Sequence, residues 1–230
     1  MGKEKIEQAS AGDRIADFMQ KYRKFLLALV ILIVCGIAFS AAFFSIRGVM
    51  EKKAIAKVEV FERRMNELGP IGDSDDAIGE TAQSKDVDAL LDEINAFAPS
   101  TFGYAASRAF SLAADIYFSR GEWGKAEEAW AASARKAPKI YLAPLSLFNA
   151  AVAAEEQGSL EIAIDYYRQS IDFPGINPAS ARSRFNIGRI YEAQQDKTKA
   201  AEAYMELIEK NPNSPWANLA QNRIIILEKK

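Results

Sequence analysis

Three alanines in the C-terminal half, Ala126, Ala163 and Ala200, recur at an interval of 37 residues. Each lies in a closely similar stretch: KAEEAW, IAIDYY and KAAEAY. An aromatic follows each alanine by four positions (Trp130, Tyr167, Tyr204), and a small residue precedes each by twelve (Ala114, Ala151, Gly188). Fixed positions recurring in register mean an array of identical structural units, and a helical unit of this length is a helix-turn-helix hairpin. Such a unit cannot bury its apolar face alone, so the chain is committed to stacking hairpins into a solenoid. The fold class is therefore all-α.

Composition removes whole classes of chemistry. The chain has no histidine and one cysteine, Cys35. Imidazole acid/base catalysis, Ser-His and Cys-His pairs and most zinc or copper sites are excluded, as is an intramolecular disulfide. The net charge of −2 supplies no bulk field for nucleic acid. Carboxylate pairs such as Glu127/Glu128 and Glu155/Glu156 are adjacent on helices, so they diverge and cannot share a substrate. No Gly-rich phosphate loop is present. The reading is a non-enzyme without cofactor, metal or catalytic residues.

Residues 25–46 read FLLALVILIVCGIAFSAAFFSI without a charge. As a helix this stretch is about 33 Å long, enough for the hydrocarbon layer. Phe43 and Phe44 continue the run beyond Ser40–Ala42, which favours a retained anchor over a cleaved signal. Val34 stands before Cys35 where a lipidation motif has a small residue. Lys21, Arg23 and Lys24 crowd the near end while Arg47 stands alone at the other, so the short N-terminus is read as cytoplasmic and 47–230 as exported. Within the tail, 1–24, the spacing of Ile15, Phe18, Met19 and Tyr22 fits a short amphipathic helix at the interface or an extension of the spanning helix. Gly36 and Ser40 form a small-xxx-small pair that suits a second membrane helix.

Beyond the anchor, Ala54, Val58, Phe61, Met65 and Leu68 form a short a/d seam on a stalk helix, 47–68. That seam either packs on the chain's own repeats or mediates self-association through 54–68. Residues 69–86 are rich in Gly, Ser and Asp and read as a linker loop; Asp73, Asp75 and Asp76 lack calcium-loop spacing. From 87 the helical pattern resumes and runs to 230. The units fall at about 107–138, 144–175 and 181–212, with a capping helix at 216–228. Gly121 and Gly158 turn the first two hairpins, and Gln195 stands at the corresponding place in the third. On the capping helix, Ile225 and Ile226 exceed what one buried face needs and suit either deeper burial or a partner contact.

The pattern Gly188-x-x-Tyr191…Ala200-x-x-x-Tyr204…Pro212, with Ala114-x-x-Tyr117…Gly121…Ala126-x-x-x-Trp130…Pro138, resembles the tetratricopeptide repeat family. The period departs from that family's roughly 34 residues, and Ala154, Arg184 and Gln195 depart from its usual residue types. The resemblance implies a concave face lined by the first helix of each hairpin, where protein partners lie. By register these residues are Arg108, Ser111, Leu112 and Asp115, then Leu145, Phe148, Asn149 and Val152, then Arg182, Phe185, Asn186 and Arg189. Asn149 and Asn186 are equivalent positions whose amides suit an extended backbone; bonding to local backbone or water is their other use. Phe148 and Phe185 would contact apolar side chains or pack between helices. Asp115 would repel a terminal carboxylate, against a clamp for chaperone tails.

The layout of charged tail, spanning helix, stalk and small repeat domain is similar to the YfgM-like ancillary subunits of the SecYEG translocon, with NAFAPSTFGYAASRAFSLAADIYFSRGEWGKAEEAW matching the first repeat and its lead-in. That resemblance implies a single-pass inner-membrane protein with a periplasmic domain, a membrane-anchored adaptor in contact with the translocon and with periplasmic chaperones. A structural scaffold in another envelope assembly (motility, secretion or division) is the alternative.

Overall fold

The computed structural model describes residues 18–69, 77–174 and 177–229. All regular secondary structure among them is α-helix: α1 Arg23–Leu68, α2 Ala77–Ser100, α3 Gly103–Ser119, α4 Trp123–Lys136, α5 Leu142–Glu156, α6 Leu160–Ile171, α7 Ser180–Ala193, α8 Lys197–Lys210 and α9 Pro215–Lys229. The chain divides into two compact units, Met1–Met50 and Glu51–Lys230.

The first unit carries the apolar run within α1. Side chains such as Phe25, Leu32, Phe39 and Phe44 are exposed along it, and α1 is the one helix among the described residues long and apolar enough to cross a membrane. The Ser40 hydroxyl donates to the Gly36 carbonyl at 2.8 Å, so its polar group is satisfied within its own helix. Ile15, Asp73, Asp75 and Asp76 lie outside the described residues.

The second unit is built from hairpins whose turns share one geometry. Gly121 and Gly158 have φ of 72° and 76°, and Gln195 adopts 62° at the third turn. In each, the turn residue's N–H bonds three residues back and the next N–H reaches five back: Glu122 to Tyr117 O (2.9 Å), Ser159 to Ala154 O (2.9 Å) and Asp196 to Tyr191 O (2.9 Å). This is the Schellman arrangement that ends helices at a left-handed residue. The small residues then show their purpose. A Cβ built on Gly188 would lie 2.5 Å from Cε1 of Tyr204, so the second-helix aromatic occupies the space a side chain there would need. Ala126, Ala163, Ala200, Tyr167 and Tyr204 are fully buried.

Buried hydroxyls mark the junctions between hairpins. Ser133 on α4 meets Ser146 on α5 at 2.8 Å, and Ser170 on α6 meets Ser183 on α7 at 3.3 Å, one repeat further on. Each hydroxyl satisfies another in a place no water reaches. At the next junction the same positions are Leu207 and Ala220, both buried, so the polar pair is replaced by an apolar one.

Two boundaries differ from the sequence reading. The loop expected over 69–86 is helical from Ala77 onward. Its second half, AIGETAQSKD, holds alanine, glutamate, glutamine and lysine, good helix formers that its glycine, serine and aspartate obscure in composition. The first hairpin also starts earlier, at Gly103 rather than Ser107. The stalk seam is used within the chain: Val58 and Phe61 are buried in one cluster with Val87, Leu90 and Ile94 of α2 and Ala109, Leu112 and Ile116 of α3, with Ala54, Met65 and Leu68 packed against it. Phe61 meets Phe97 edge-on at 5.6 Å, and Arg64 pairs with Glu93 at 2.8 Å. The self-association face expected at 54–68 is thus covered by the chain's own helices. Residues 51–68 of α1 thus pack through side chains on α2 and α3, ahead of the three recognised units.

Candidate protein-binding groove

The first helices α3, α5 and α7 carry the twelve residues expected to line the concave face, and their fates differ. In the first unit the stalk has taken the place. Ser111 and Leu112 are buried, Leu112 in the cluster with Val58 and Phe61, and Arg108 Nε donates to Glu62 Oε1 at 2.5 Å. Asp115 is half-buried. Burial pushes its carboxyl up to about 6, against the Arg108 charge and the Trp130 indole, which favour the ionised form; the indole nitrogen itself is outside hydrogen-bond geometry with any partner.

In the second and third units the asparagines have separated. Asn186 is buried and its Nδ2 donates to Tyr167 Oη at 2.8 Å. Tyr167 donates in turn to Glu155 at 2.6 Å, and Glu155 also pairs with Arg189. Burial, then the Glu155 carboxylate, raises the Tyr167 phenol strongly. Asn186 is therefore committed to the junction between α6 and α7, while Asn149 stays half-buried on α5. The phenylalanines pack between helices: Phe148 lies 5.3 Å from Tyr167, and Phe185 lies 5.5 Å from Tyr204 and 5.2 Å from Trp216.

The same junction recurs one repeat later with α9 in the place of a first helix. Tyr204 and Glu192 stand where Tyr167 and Glu155 stood, and Tyr204 donates to Glu192 at 3.1 Å. Burial and Glu192 push the Tyr204 phenol up to about 12. Arg223, equivalent to Asn186, donates through Nε to the same carboxylate at 3.0 Å. The α9 helix packs on both α8 and α7. By this register Leu219 is equivalent to Leu145 and Arg182, and Ile226 to Val152 and Arg189; both are exposed, at 46% and 39%. Sequence reasoning offers Ile226, with Ile225, as deeper burial or a partner contact but places Leu219 only on the packed side of the capping helix; the 37-residue register carried onto α9 is the signal that finds both. Ile225 falls instead at the position of Ala114, Ala151 and Gly188, and is exposed. Ile225 and Ile226 thus belong to two different faces.

The register puts one face on α5, α7 and α9: half-buried Leu145 and Val152 on one side, exposed Leu219 and Ile226 on the other, Arg182 between them. Arg182 is exposed, its guanidinium 4.6 Å from the Phe148 ring centre and 5.7 Å from that of Trp216. A separate cavity of about 470 Å³ is lined by Arg168, Arg184, Lys199, Asp172, Glu202 and Glu206 from α6, α7, α8 and the turn after α6. Its charges balance, Arg184 is held by Glu206 at 3.0 Å, and it plays no part in the groove.

Stacked helical hairpins with this small-residue and aromatic register define a repeat scaffold of the protein-binding class. Family models described as tetratricopeptide repeat match residues 111–178 and 182–214. The chain is 31% identical over 233 aligned positions to a TPR repeat-containing protein of Treponema pallidum (strain Nichols), covering 96% of each chain. It belongs to the tetratricopeptide-repeat family, whose members are in general non-catalytic scaffolds for protein partners.

Proposed function

We propose that this chain is a membrane-anchored adaptor that binds proteins along α5, α7 and α9 at the periplasmic face of the inner membrane, in the service of protein translocation. One observation carries the reading: Leu219 and Ile226 are exposed on α9 at the register positions that half-buried Leu145 and Val152 take on α5, with Arg182 between them. Apolar surface in a row on an otherwise polar scaffold marks an interaction site. The apolar run of α1 supplies the anchor, and the basic cluster Lys21, Arg23 and Lys24 supports a cytoplasmic N-terminus.

The test is a photo-crosslinking amino acid at Leu219, compared with one at Ile162, which is exposed on α6, in intact cells. Translocon subunits and periplasmic chaperones attached to the Leu219 probe and absent from the Ile162 probe support the reading. Components of a motility, secretion or division machine at Leu219 would move the function to the scaffold alternative. Equal, diffuse labelling at both would remove the groove.

A further inference from the structure

We infer that the groove selects an internal acidic residue of its partner, flanked on both sides by apolar residues, and that Arg182 reads it. The inference rests on the groove reading above and adds the chemistry of the occupant. The other arginines of the groove are already neutralised: Arg108 by Glu62, Arg189 by Glu155 and Arg223 by Glu192. Arg182 has no carboxylate partner among the described residues. It is nevertheless held in place, its guanidinium against Phe148 and Trp216, and those rings are fixed by Tyr167 and by Phe185. A guanidinium supported on aromatic faces keeps its N–H edges outward, the geometry that receives a planar carboxylate through two parallel hydrogen bonds. The groove therefore carries one uncompensated, preorganised positive charge.

The position of that charge sets the kind of acid. Arg182 lies on the middle helix, with Leu145 and Val152 on α5 before it and Leu219 and Ile226 on α9 after it. A terminal carboxylate bound at Arg182 would leave one apolar half unoccupied. An aspartate or glutamate within a chain lets the segment continue over both halves. A basic partner would meet Arg182 by repulsion, which gives the groove its discrimination.

The experiment uses the full-length chain in lipid nanodiscs and a random dodecapeptide library displayed on phage, with selected sequences remade as free peptides for fluorescence anisotropy. Enrichment of an internal Asp or Glu between apolar residues is expected. Replacing that acid by its amide should weaken binding about tenfold. Arg182→Gln should weaken the acidic peptide by a similar factor and make it indifferent to the amide change, while Arg182→Lys recovers part of the loss. Affinity unaffected by Arg182→Gln, or abolished by amidating only the peptide's C-terminus, would overturn the inference. The underlying groove reading fails separately: selected peptides insensitive to Leu219→Ser combined with Ile226→Ser bind elsewhere, and a library that yields no binder removes both. Peptides lost with Leu219→Ser and Ile226→Ser but lacking acidic enrichment would sink the charge assignment alone.

Discussion

Gln195 occupies a left-handed backbone conformation, φ 62°, at the turn position that glycine fills in the two preceding hairpins. A side chain there crowds the following carbonyl, a cost of roughly 1–2 kcal/mol, part of which glycine would return in unfolded-state entropy. Gln195→Gly should raise stability by up to about 1 kcal/mol, read from the shift in denaturant midpoint. Trp130 shows how residues change together. It stands at the position of Tyr167 and Tyr204, and Phe118 stands where Glu155 and Glu192 accept the phenol hydrogen. The first unit thus trades a tyrosine–glutamate pair for an aromatic pair 5.3 Å apart, leaving the indole nitrogen unpartnered. Asp115 carries a pH signature. Its folded carboxyl titrates near 6 against an ordinary 3.8, so between these values the folded state holds the proton more tightly. Stability should therefore fall as pH rises from about 4 to about 6 and then level off. Asp115→Asn should flatten that slope and add roughly 1–2 kcal/mol at neutral pH. An unchanged slope in melts at several pH values would show that Asp115 is solvated.

Among elements, α1 and α9 take roles that their positions at the two ends of the repeats do not suggest. The stalk end of α1 packs on the repeats and places Phe61, 1% exposed, against α2 and α3. Phe61→Ala should cost about 3–5 kcal/mol by cavity formation. Unfolding of the full chain followed by the fluorescence of its three tryptophans, Trp123, Trp130 and Trp216, measures it. A loss below about 1 kcal/mol would mean the stalk is only loosely applied. The α9 helix packs as a first helix does: its junction with α8 repeats the tyrosine, glutamate and third-residue contact of the preceding junction. Ile225 shares an exposed helix face with Asn218, Gln221, Asn222 and Glu228, so that face is largely polar. Its other exposed apolar residues, Leu219 and Ile226, extend the proposed groove.

For the whole molecule, the proposed anchor in α1 raises a question of sidedness. Cys35 is the only cysteine and lies in the apolar run, so a cysteine introduced at exposed Ile162 provides a clean reporter. In cells with the outer membrane opened, Ile162→Cys should react with a membrane-impermeant maleimide, and the unmodified chain should not. Labelling that appears only after the inner membrane is broken would reverse the orientation drawn from Lys21, Arg23 and Lys24.

The one-dimensional pattern was enough for the helical hairpins, their 37-residue register, their turns and the helix suited to a bilayer. Each follows from spacing within one or two helices, where side-chain direction is dictated by helical geometry and by the volume left beside a small residue. Tertiary structure alone decided which expected groove residues remain open. Leu112 vanishes beneath Phe61, Asn186 turns inward to Tyr167, and Leu219 and Ile226, placed by the register, stay exposed. These outcomes depend on contacts between helices distant in the chain, and a period records that positions are equivalent without recording which neighbour covers them.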